Sequence, residues 1–345
     1  MRLSFFQHLH PPTIPAPQSR WRYTLGAGGL AFYWILVIMM SGAFEMLYYI
    51  ATPGEAALSI QTLTFLVRFG NLIRNLHYWT AQALMVTVLI HLLRVIYTGA
   101  YAPPRRFNYL LGLSQLVLIG ALNWSGYVLR WDQGVGWALV VGTNMLKAVP
   151  FAGKWLYRLV TGGNSLNPAT LTRFYAAHIF TLMLLLLGLT VWHIFRVRRD
   201  GGIAVPPAGQ RTNDARITRF ELVRREIPAA ILATAGILLL AAFVPAPLAP
   251  PLKSLSLGVG ETLDPYAPWF VLWIQGLVRL GNPFWMGIVI PGAIFGVMAL
   301  LPFIFPVPPP EERGRWFPRG GRLAQLTVSA LALLIIGLTI WTRLQ

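Results

Sequence analysis

The 345-residue sequence contains no cysteine. Without a thiol, the chain forms no disulfide, holds no iron–sulfur cluster through thiolates and attaches no haem through a thioether bond. A signal-type apolar core is also missing from the first 22 residues, which we interpret as an interfacial segment before the first membrane span. Any redox chemistry must therefore depend on other ligands and on cofactors held without a covalent bond.

Charged residues are scarce as well, at 11% of the chain, whereas 56% of the residues are hydrophobic. A soluble domain carries about a quarter charged residues. Acidic side chains are the rarest, with 11 Asp and Glu against 28 Lys and Arg, for a net charge of +17. The basic residues lie mostly in loops, most densely between Arg196 and Arg225, as the positive-inside rule predicts. We therefore expect a multi-pass protein of the cytoplasmic membrane with a cytoplasmic N-terminus, in contact with anionic lipid and not with nucleic acid.

Apolar runs long enough to cross a bilayer, roughly 17–25 residues each, occur seven times. They cover residues 24–50, 76–98, 108–129, 175–197, 227–245, 284–306 and 323–342. The predicted fold class is all-α: a polytopic transmembrane protein with a four-helix bundle followed by three further transmembrane helices. We predict an N-terminal domain (1–205), a cytoplasmic linker (206–225) and a C-terminal domain (226–345). The connection at 130–173 is expected to form short surface helices.

Four of the six histidines lie inside apolar spans, where an ionisable group is costly and indicates function. These are His77 and His91 in the second span and His178 and His193 in the fourth. Each pair is separated by about 21–22 Å along a helix and keeps roughly to one face. Because both spans run in the same direction, His77 and His178 are expected at an outer level and His91 and His193 at an inner level. Two imidazoles at one depth can supply both axial ligands of a haem iron, so two levels predict two haems.

Other interpretations of the histidines remain open at this point. An isolated buried histidine is usually a core residue that hydrogen-bonds to its neighbours. A zinc or di-iron site is disfavoured because these spans offer no carboxylate beside the histidines. A transporter that uses intramembrane histidines is a further alternative, which a haem absorbance spectrum would distinguish.

Four glycines in the first and third spans repeat the histidine interval. They are Gly28, Gly42, Gly112 and Gly126. A macrocycle wedged between helices needs backbones that approach it closely, which favours glycine. Topology places Gly28 and Gly112 at the inner level and the other two at the outer level, although glycine pairs also serve plain helix packing.

Two arginines stand one helical turn from a histidine, each towards the nearer membrane surface. Arg74 precedes His77, and Arg94 follows His91. A guanidinium at this place can bind a haem propionate. The alternative is that both side chains only extend to the membrane surface.

Several stretches of the sequence resemble cytochrome b of the quinol-oxidising bc-type complexes. They are Phe69-Gly-Asn-Leu-Ile-Arg-Asn-Leu-His77, His91-Leu-Leu-Arg94, Gly126-Tyr-Val-Leu-Arg-Trp-Asp-Gln133 and Thr170-Leu-Thr-Arg-Phe-Tyr-Ala-Ala-His178. The interval between His178 and His193 and the total of seven spans are similar to the chloroplast-type branch, here with its two parts fused in one chain. The resemblance covers nearly the whole sequence and is most specific over residues 69–200.

This resemblance implies the cytochrome b subunit of a quinol:electron-acceptor oxidoreductase, a redox subunit expected to be inactive alone. It implies two non-covalent b-type haems, no covalent haem, and quinol and quinone as substrates. Quinol is oxidised near the outer face, where one electron goes to a Rieske-type iron–sulfur protein. The other crosses the membrane to a quinone near the cytoplasmic face. A cytochrome c-like subunit, lipid and a homodimer of the complex are the further implied partners.

The sequence departs from the family pattern at the outer side. Arg130 replaces a proline, and Ala267-Pro268-Trp269-Phe270 stands where the family has the quinol-site motif Pro-Glu-Trp-Tyr. The cysteine that holds an extra haem in the chloroplast-type branch corresponds to Thr24. The family's glutamate accepts a proton from quinol, so another base is needed beside Trp269 and Phe270.

We predict that base to be Glu45, one turn beyond Gly42, or Asp132. The alternatives are that Glu45 pairs with a nearby arginine such as Arg68 or Arg74, and that Asp132 is a solvated loop charge or a partner of Arg130. At the inner side, Arg198 lies where the family places a basic residue beside the quinone, although Arg196 and Arg199 are equally basic.

The missing glutamate and Arg130 leave a second function open. In that case the protein is a dihaem membrane anchor that conducts electrons between the quinone pool and another redox module, without sending them along two branches.

Overall fold

The structure is a computed structural model that describes residues 11–206, 215–252 and 266–345. Within these ranges seven helices are long and apolar enough to cross a membrane. We number them as spans 1 to 7: Ala27–Met46, Gly70–Tyr97, Arg106–Leu129, Pro168–Arg199, Arg219–Phe243, Phe284–Ile304 and Arg319–Leu344. The predicted all-α transmembrane class and the number of spans are confirmed.

Shorter elements connect the spans. They are the helices Ala56–Phe65, Gly136–Lys147, Gly153–Thr161 and Trp269–Arg279 and the 3₁₀ turn Gln133–Val135, while the turn Ala16–Ser19 and the helix Trp21–Thr24 precede span 1. The helices at 136–147 and 153–161 lie in the connection where short helices are predicted. Strand β1 (Thr13–Pro15) pairs antiparallel with strand β2 (Arg216–Thr218) and so ties the N-terminal segment to the start of span 5.

Five spans begin earlier than predicted, spans 3 and 7 by two and four residues and spans 2, 4 and 5 by six to eight. Span 2 starts at Gly70 and not at 76, after a left-handed Phe69 (φ 61°); a side chain on Gly70 would overlap the carbonyl oxygen of Leu63. Span 5 starts at Arg219 and not at 227, because Thr218 Oγ1 accepts a hydrogen bond from Glu221 N and caps the helix. The segment predicted as a linker (206–225) therefore contains β2 and the first turns of span 5, and its residues 207–214 lie outside the described ranges.

The middle of the bundle is apolar. Span 1 packs along span 2, span 3 along span 4, and span 5 against spans 1 and 2. The buried side chains between them are Ala31, Trp34, Ile35, Leu84, Met85, Ile119, Leu186 and Ile237. Leu84 lies halfway between His77 and His91, and Ile119 halfway between Gly112 and Gly126. This apolar layer separates an outer level of the bundle from an inner one.

Candidate cofactor site

The four span histidines meet in two pairs. The ring centres of His77 and His178 are 6.4 Å apart with ring planes at 67°. Those of His91 and His193 are also 6.4 Å apart, with planes at 77°. Two imidazoles that hydrogen-bond directly at about 2.9 Å have centres roughly 5 Å apart, whereas two rings bound on opposite sides of one metal at about 2 Å have centres roughly 6.2 Å apart. The spacing fits a metal held between the rings of each pair.

A local irregularity in span 4 matches the two intervals. Residues Ala177–Thr181, which include His178, form a π-helical turn. Such a turn holds one residue more than an α-helical turn. The interval from His178 to His193, one residue longer than that from His77 to His91, is thereby accommodated, and both histidines of span 4 face their partners in span 2.

Each histidine ring lies against a glycine of span 1 or span 3. At the outer level, a Cβ on Gly42 would be 3.0 Å from Cε1 of His77, and one on Gly126 would be 2.9 Å from Cε1 of His178. At the inner level the corresponding distances are 3.2 Å from Gly28 to His91 and 3.4 Å from Gly112 to His193. The glycines thus lie at the two levels expected from topology, and the group they leave room for is the imidazole itself.

The two arginines beside the histidines are buried and bind main-chain carbonyls. Arg74 donates to the carbonyl oxygens of Ala246 (3.2 Å) and Pro247. Arg94 donates to those of Tyr23 (2.7 Å) and Ala204 (2.7 Å). Each guanidinium therefore fastens a connection to the bundle, a contact that the sequence did not indicate.

A cavity of about 940 Å³ opens beside the outer histidine pair. His77, His178, Trp269 and Phe270 line it, and among its described lining residues Glu45 is the only carboxylate. The indole of Trp269 donates to Gln82 Oε1 (2.7 Å). The structure thus brings together the outer histidines, the aromatic pair and one of the two predicted bases.

Glu45 is an unusual group in this cavity. Its Oε1 is buried and has no hydrogen-bond partner among the described residues. It lies within electrostatic range of His77 and Arg74 but forms no ion pair with a described arginine. Tyr49 also lines the cavity, but its hydroxyl donates to Leu129 O (2.8 Å), and burial raises the pKa of that phenol. Glu45 therefore differs from Tyr49 in offering a buried carboxylate oxygen with no described hydrogen-bond partner.

The other predicted base, Asp132, is engaged elsewhere. Both of its carboxylate oxygens accept hydrogen bonds from Arg130 (2.8–3.0 Å), and Oδ2 also accepts from Ala249 N (3.1 Å). The side chain is 1% exposed and does not line the cavity. Because its lone pairs are occupied, we remove Asp132 from the candidate bases and interpret it, with Arg130, as an ion pair that holds the connection around Ala249.

The three arginines at the end of span 4 have different partners. Arg196 and Arg199 both pair with Asp200, at 2.8 and 3.3 Å. Arg198 is half-buried and forms no ion pair or hydrogen bond with a described residue. The structure therefore distinguishes Arg198 from its neighbours, which the sequence did not.

One carboxylate near the inner level escaped the sequence analysis. Glu226 lies in span 5, and its Oε2 would be 3.5 Å from a Cβ on Gly29, next to Gly28. Trp21 hydrogen-bonds to it. The predicted fifth span began at 227, so Glu226 stood just outside it, at the start of the predicted C-terminal domain; the cap at Thr218 was the signal that could have placed it inside the helix.

No cluster of three or more His, Asp or Glu side chains occurs among the described residues. Each level therefore offers a metal two protein ligands. Two ligands are too few for a structural zinc, which takes four, but they suit an iron whose equatorial positions are filled by a porphyrin. The fold and the site define a multi-pass helical membrane protein with two facing histidine pairs at two depths.

Comparison with known proteins agrees with this class. The family model Cytochrome b/b6/petB matches residues 14–201. Cytochrome b6 of Heliobacterium mobile is 37% identical over 187 residues, which are 54% of this chain and 88% of that protein. The menaquinol:cytochrome c reductase cytochrome b subunit of Bacillus subtilis is 35% identical over 175 residues, 50% of this chain and 78% of that protein.

The chain belongs to the cytochrome b/b6 family. A solved structure described as Hyperthermophilic respiratory Complex III superposes with a TM-score of 0.74 at 21% identity, covering 93% of this chain and 91% of that one. This likeness extends the shared fold beyond residue 201, into the three C-terminal spans.

Proposed function

We propose that this chain is the cytochrome b subunit of a bc-type quinol:electron-acceptor oxidoreductase. The observation that carries the proposal is the pair of histidine levels, each with its rings 6.4 Å apart and backed by glycines, in a chain of this family.

The residues present fit two b-type haems. His77 and His178 would ligate the outer haem iron, and His91 and His193 the inner one, with Gly28, Gly42, Gly112 and Gly126 making room for the rings. Arg74 and Arg94 are placed to reach a propionate at each level. When bound, the haems supply one-electron transfer across the membrane. The protein contributes the ligands, an apolar layer between the levels and the groups that handle protons.

The outer cavity is the proposed quinol site. Its size and its mixture of aromatic walls with few polar groups are typical of a small-molecule site. A quinol seated against Trp269 and Phe270 must lose two protons on oxidation, and Glu45 is the group that can accept one there. Glu45 would thus take over the role of the glutamate that the Ala267–Phe270 stretch lacks.

At the inner side we propose Arg198 as the cation beside the quinone. A half-buried guanidinium without a partner can donate to a quinone oxygen as negative charge develops on it. Arg196 and Arg199 share the single negative charge of Asp200 and are weaker candidates.

The proposed assembly is a complex in the cytoplasmic membrane, with the N-terminus in the cytoplasm. The relative from Bacillus subtilis is named as a subunit of a menaquinol:cytochrome c reductase, which supports a cytochrome c-like subunit as a partner. A Rieske-type iron–sulfur protein and a homodimeric arrangement complete the proposal.

The alternative is a dihaem electron conduit without two electron branches, favoured by the missing glutamate and by Arg130. An experiment on the purified complex distinguishes the two. Quinol is added with the inner site inhibited, and haem reduction is followed before and after an oxidant for the outer acceptor is supplied. In a bifurcating complex the oxidant increases haem reduction. Haem reduction that proceeds fully without the outer acceptor would favour the conduit.

A further inference from the structure

The outer and inner histidines differ in one contact that the haem ligation itself does not require. Each outer glycine is preceded by a serine, in the dipeptides Ser41-Gly42 and Ser125-Gly126. Ser41 Oγ lies 3.0 Å from Nδ1 of His77, and Ser125 Oγ lies 2.9 Å from Nδ1 of His178. Both serines are only 3% exposed. The outer histidines thus each have a buried hydroxyl at the ring nitrogen next to the glycine.

The direction of these two hydrogen bonds follows from the protons available. A serine hydroxyl carries one proton and two lone pairs. Ser41 Oγ is 2.9 Å from Val37 O and 3.1 Å from Ile38 O, and Ser125 Oγ is 3.1 Å from Leu122 O. A carbonyl oxygen can only accept, so each hydroxyl proton goes to the backbone of its own helix. The hydroxyl must then accept from the imidazole, which fixes the proton on Nδ1 and leaves the lone pair on Nε2.

The inner level lacks this contact. The residues before Gly28 and Gly112 are Ala27 and Leu111, both buried. No described side chain hydrogen-bonds to Nδ1 of His91 or His193. The backbone contributes equally at the two levels, since Asn108 hydrogen-bonds to the His193 ring and Leu122 to the His178 ring. The ring positions are otherwise alike: a Cβ on Gly28 would be 3.5 Å from Nδ1 of His91, and one on Gly42 would be 3.4 Å from Nδ1 of His77.

We propose that Ser41 and Ser125 are positioning residues for the outer haem, which set the tautomer of both ligands and lower the reduction potential of that haem alone. The inference rests on the proposed haem ligation by these histidines. A hydrogen bond accepted from Nδ1–H fixes the ring orientation and makes Nε2 more basic. A more basic ligand favours the ferric iron over the ferrous iron, so the outer couple becomes harder to reduce. The inner couple receives no such contribution from a side chain.

The test is a redox titration of haem absorbance in the intact complex, with haem content measured in parallel. Ser41→Ala and Ser125→Ala are expected to raise the midpoint of one of the two one-electron steps. We expect a change of about tenfold in the reduction equilibrium, or about 59 mV. Ser41→Thr keeps the hydroxyl and should leave both midpoints near their original values.

The reciprocal variant is Ala27→Ser, which places a hydroxyl before Gly28 as Ser41 stands before Gly42. Ala27→Ser should lower the midpoint of the inner haem and leave unchanged the midpoint that Ser41→Ala raises. Unmoved midpoints in all these variants would overturn the inference, as would an equal shift in Ser41→Thr, which would indicate packing and not hydrogen bonding. If Ser41→Ala loses the outer haem, Ala27→Ser decides the test: a lowered midpoint supports the inference, and an unmoved midpoint overturns it. A wild-type chain without haem would instead refute the proposed function.

Discussion

The outer and inner levels are built on the same plan but differ in what surrounds the histidines. Ring separations are 6.4 Å at both, and glycines back all four rings. The outer pair borders a cavity of about 940 Å³ whose lining includes neither His91 nor His193. Arg94 fastens Tyr23 and Ala204 to the bundle at the inner end, as Arg74 fastens Ala246 and Pro247 at the outer end. The repeated part is the proposed haem site, and the parts that differ are those expected to determine which chemistry each level supports.

The largest expected effect is the loss of one haem. His91→Leu should remove the inner haem and leave the outer one largely intact, because the apolar layer around Leu84 keeps the two pairs of ligands independent; His77→Leu should do the reverse. Haem per chain, measured by extraction, should fall from two to one in each variant. Two full haems in either variant would refute the ligand assignment and, with it, the comparison of levels.

Replacing one glycine at each level should have a smaller effect on haem binding than removing a histidine. The Cβ of Gly126→Ala would lie 2.9 Å from His178, and that of Gly112→Ala would lie 3.4 Å from His193. Overpacking of a buried site costs about 1–3 kcal/mol, so Gly126→Ala should weaken haem retention on heating by about that amount, and Gly112→Ala by less. Equal losses at the two levels would show that the glycines contact something other than the rings.

Glu45, the proposed proton acceptor, distinguishes the outer level from the inner one. Glu45→Gln should lower the rate of quinol oxidation by about a hundredfold, as removal of a general base does, and should abolish the rise of that rate with pH. Asp132→Asn is the matched control, because its oxygens hold Arg130 and Ala249 N. It should destabilise the outer connection by about 3–5 kcal/mol. The protein that remains folded should keep the wild-type dependence of the quinol oxidation rate on pH. A wild-type profile in Glu45→Gln would favour the conduit.

The smallest expected effect is at the inner end. Arg198→Leu should slow the re-oxidation of the inner haem by quinone by about tenfold, the equivalent of roughly 1.4 kcal/mol. Arg199→Leu is the matched control, since Arg196 still pairs with Asp200 when Arg199 is absent. Flash or stopped-flow absorbance at the haem band measures both. Equal rates in the two variants would mean that positive charge at this surface, and no particular arginine, assists the quinone.

The features that the sequence predicted correctly are those with a simple period. Apolar runs of bilayer length and the histidine and glycine intervals can be counted directly, and they predict seven spans and two levels. The π-helical turn at His178 could not be read in this way, because nothing in Ala177–Thr181 distinguishes it from an ordinary helical turn. Its effect is visible only as an interval longer by one residue.

Contacts between distant segments were the other part that the sequence could not provide. Asp132 and Glu45 look alike as carboxylates near the outer side, and only the fold shows that Ala249 and Arg130 occupy the first while the second lacks a described partner. Arg74 was expected to bind a haem propionate. In the structure its guanidinium donates to the carbonyl oxygens of Ala246 and Pro247, just beyond the end of span 5. The serines at Nδ1 were overlooked because a hydroxyl in a membrane helix usually bonds only to its own backbone.

The most direct test of the account is the haem content and the ferric EPR spectrum of the purified chain in its complex. The account predicts two low-spin haems per chain, each with the large g anisotropy that two steeply inclined imidazole planes produce, as the 67° and 77° angles require. One haem, none, or a high-spin signal with an open axial position would contradict it.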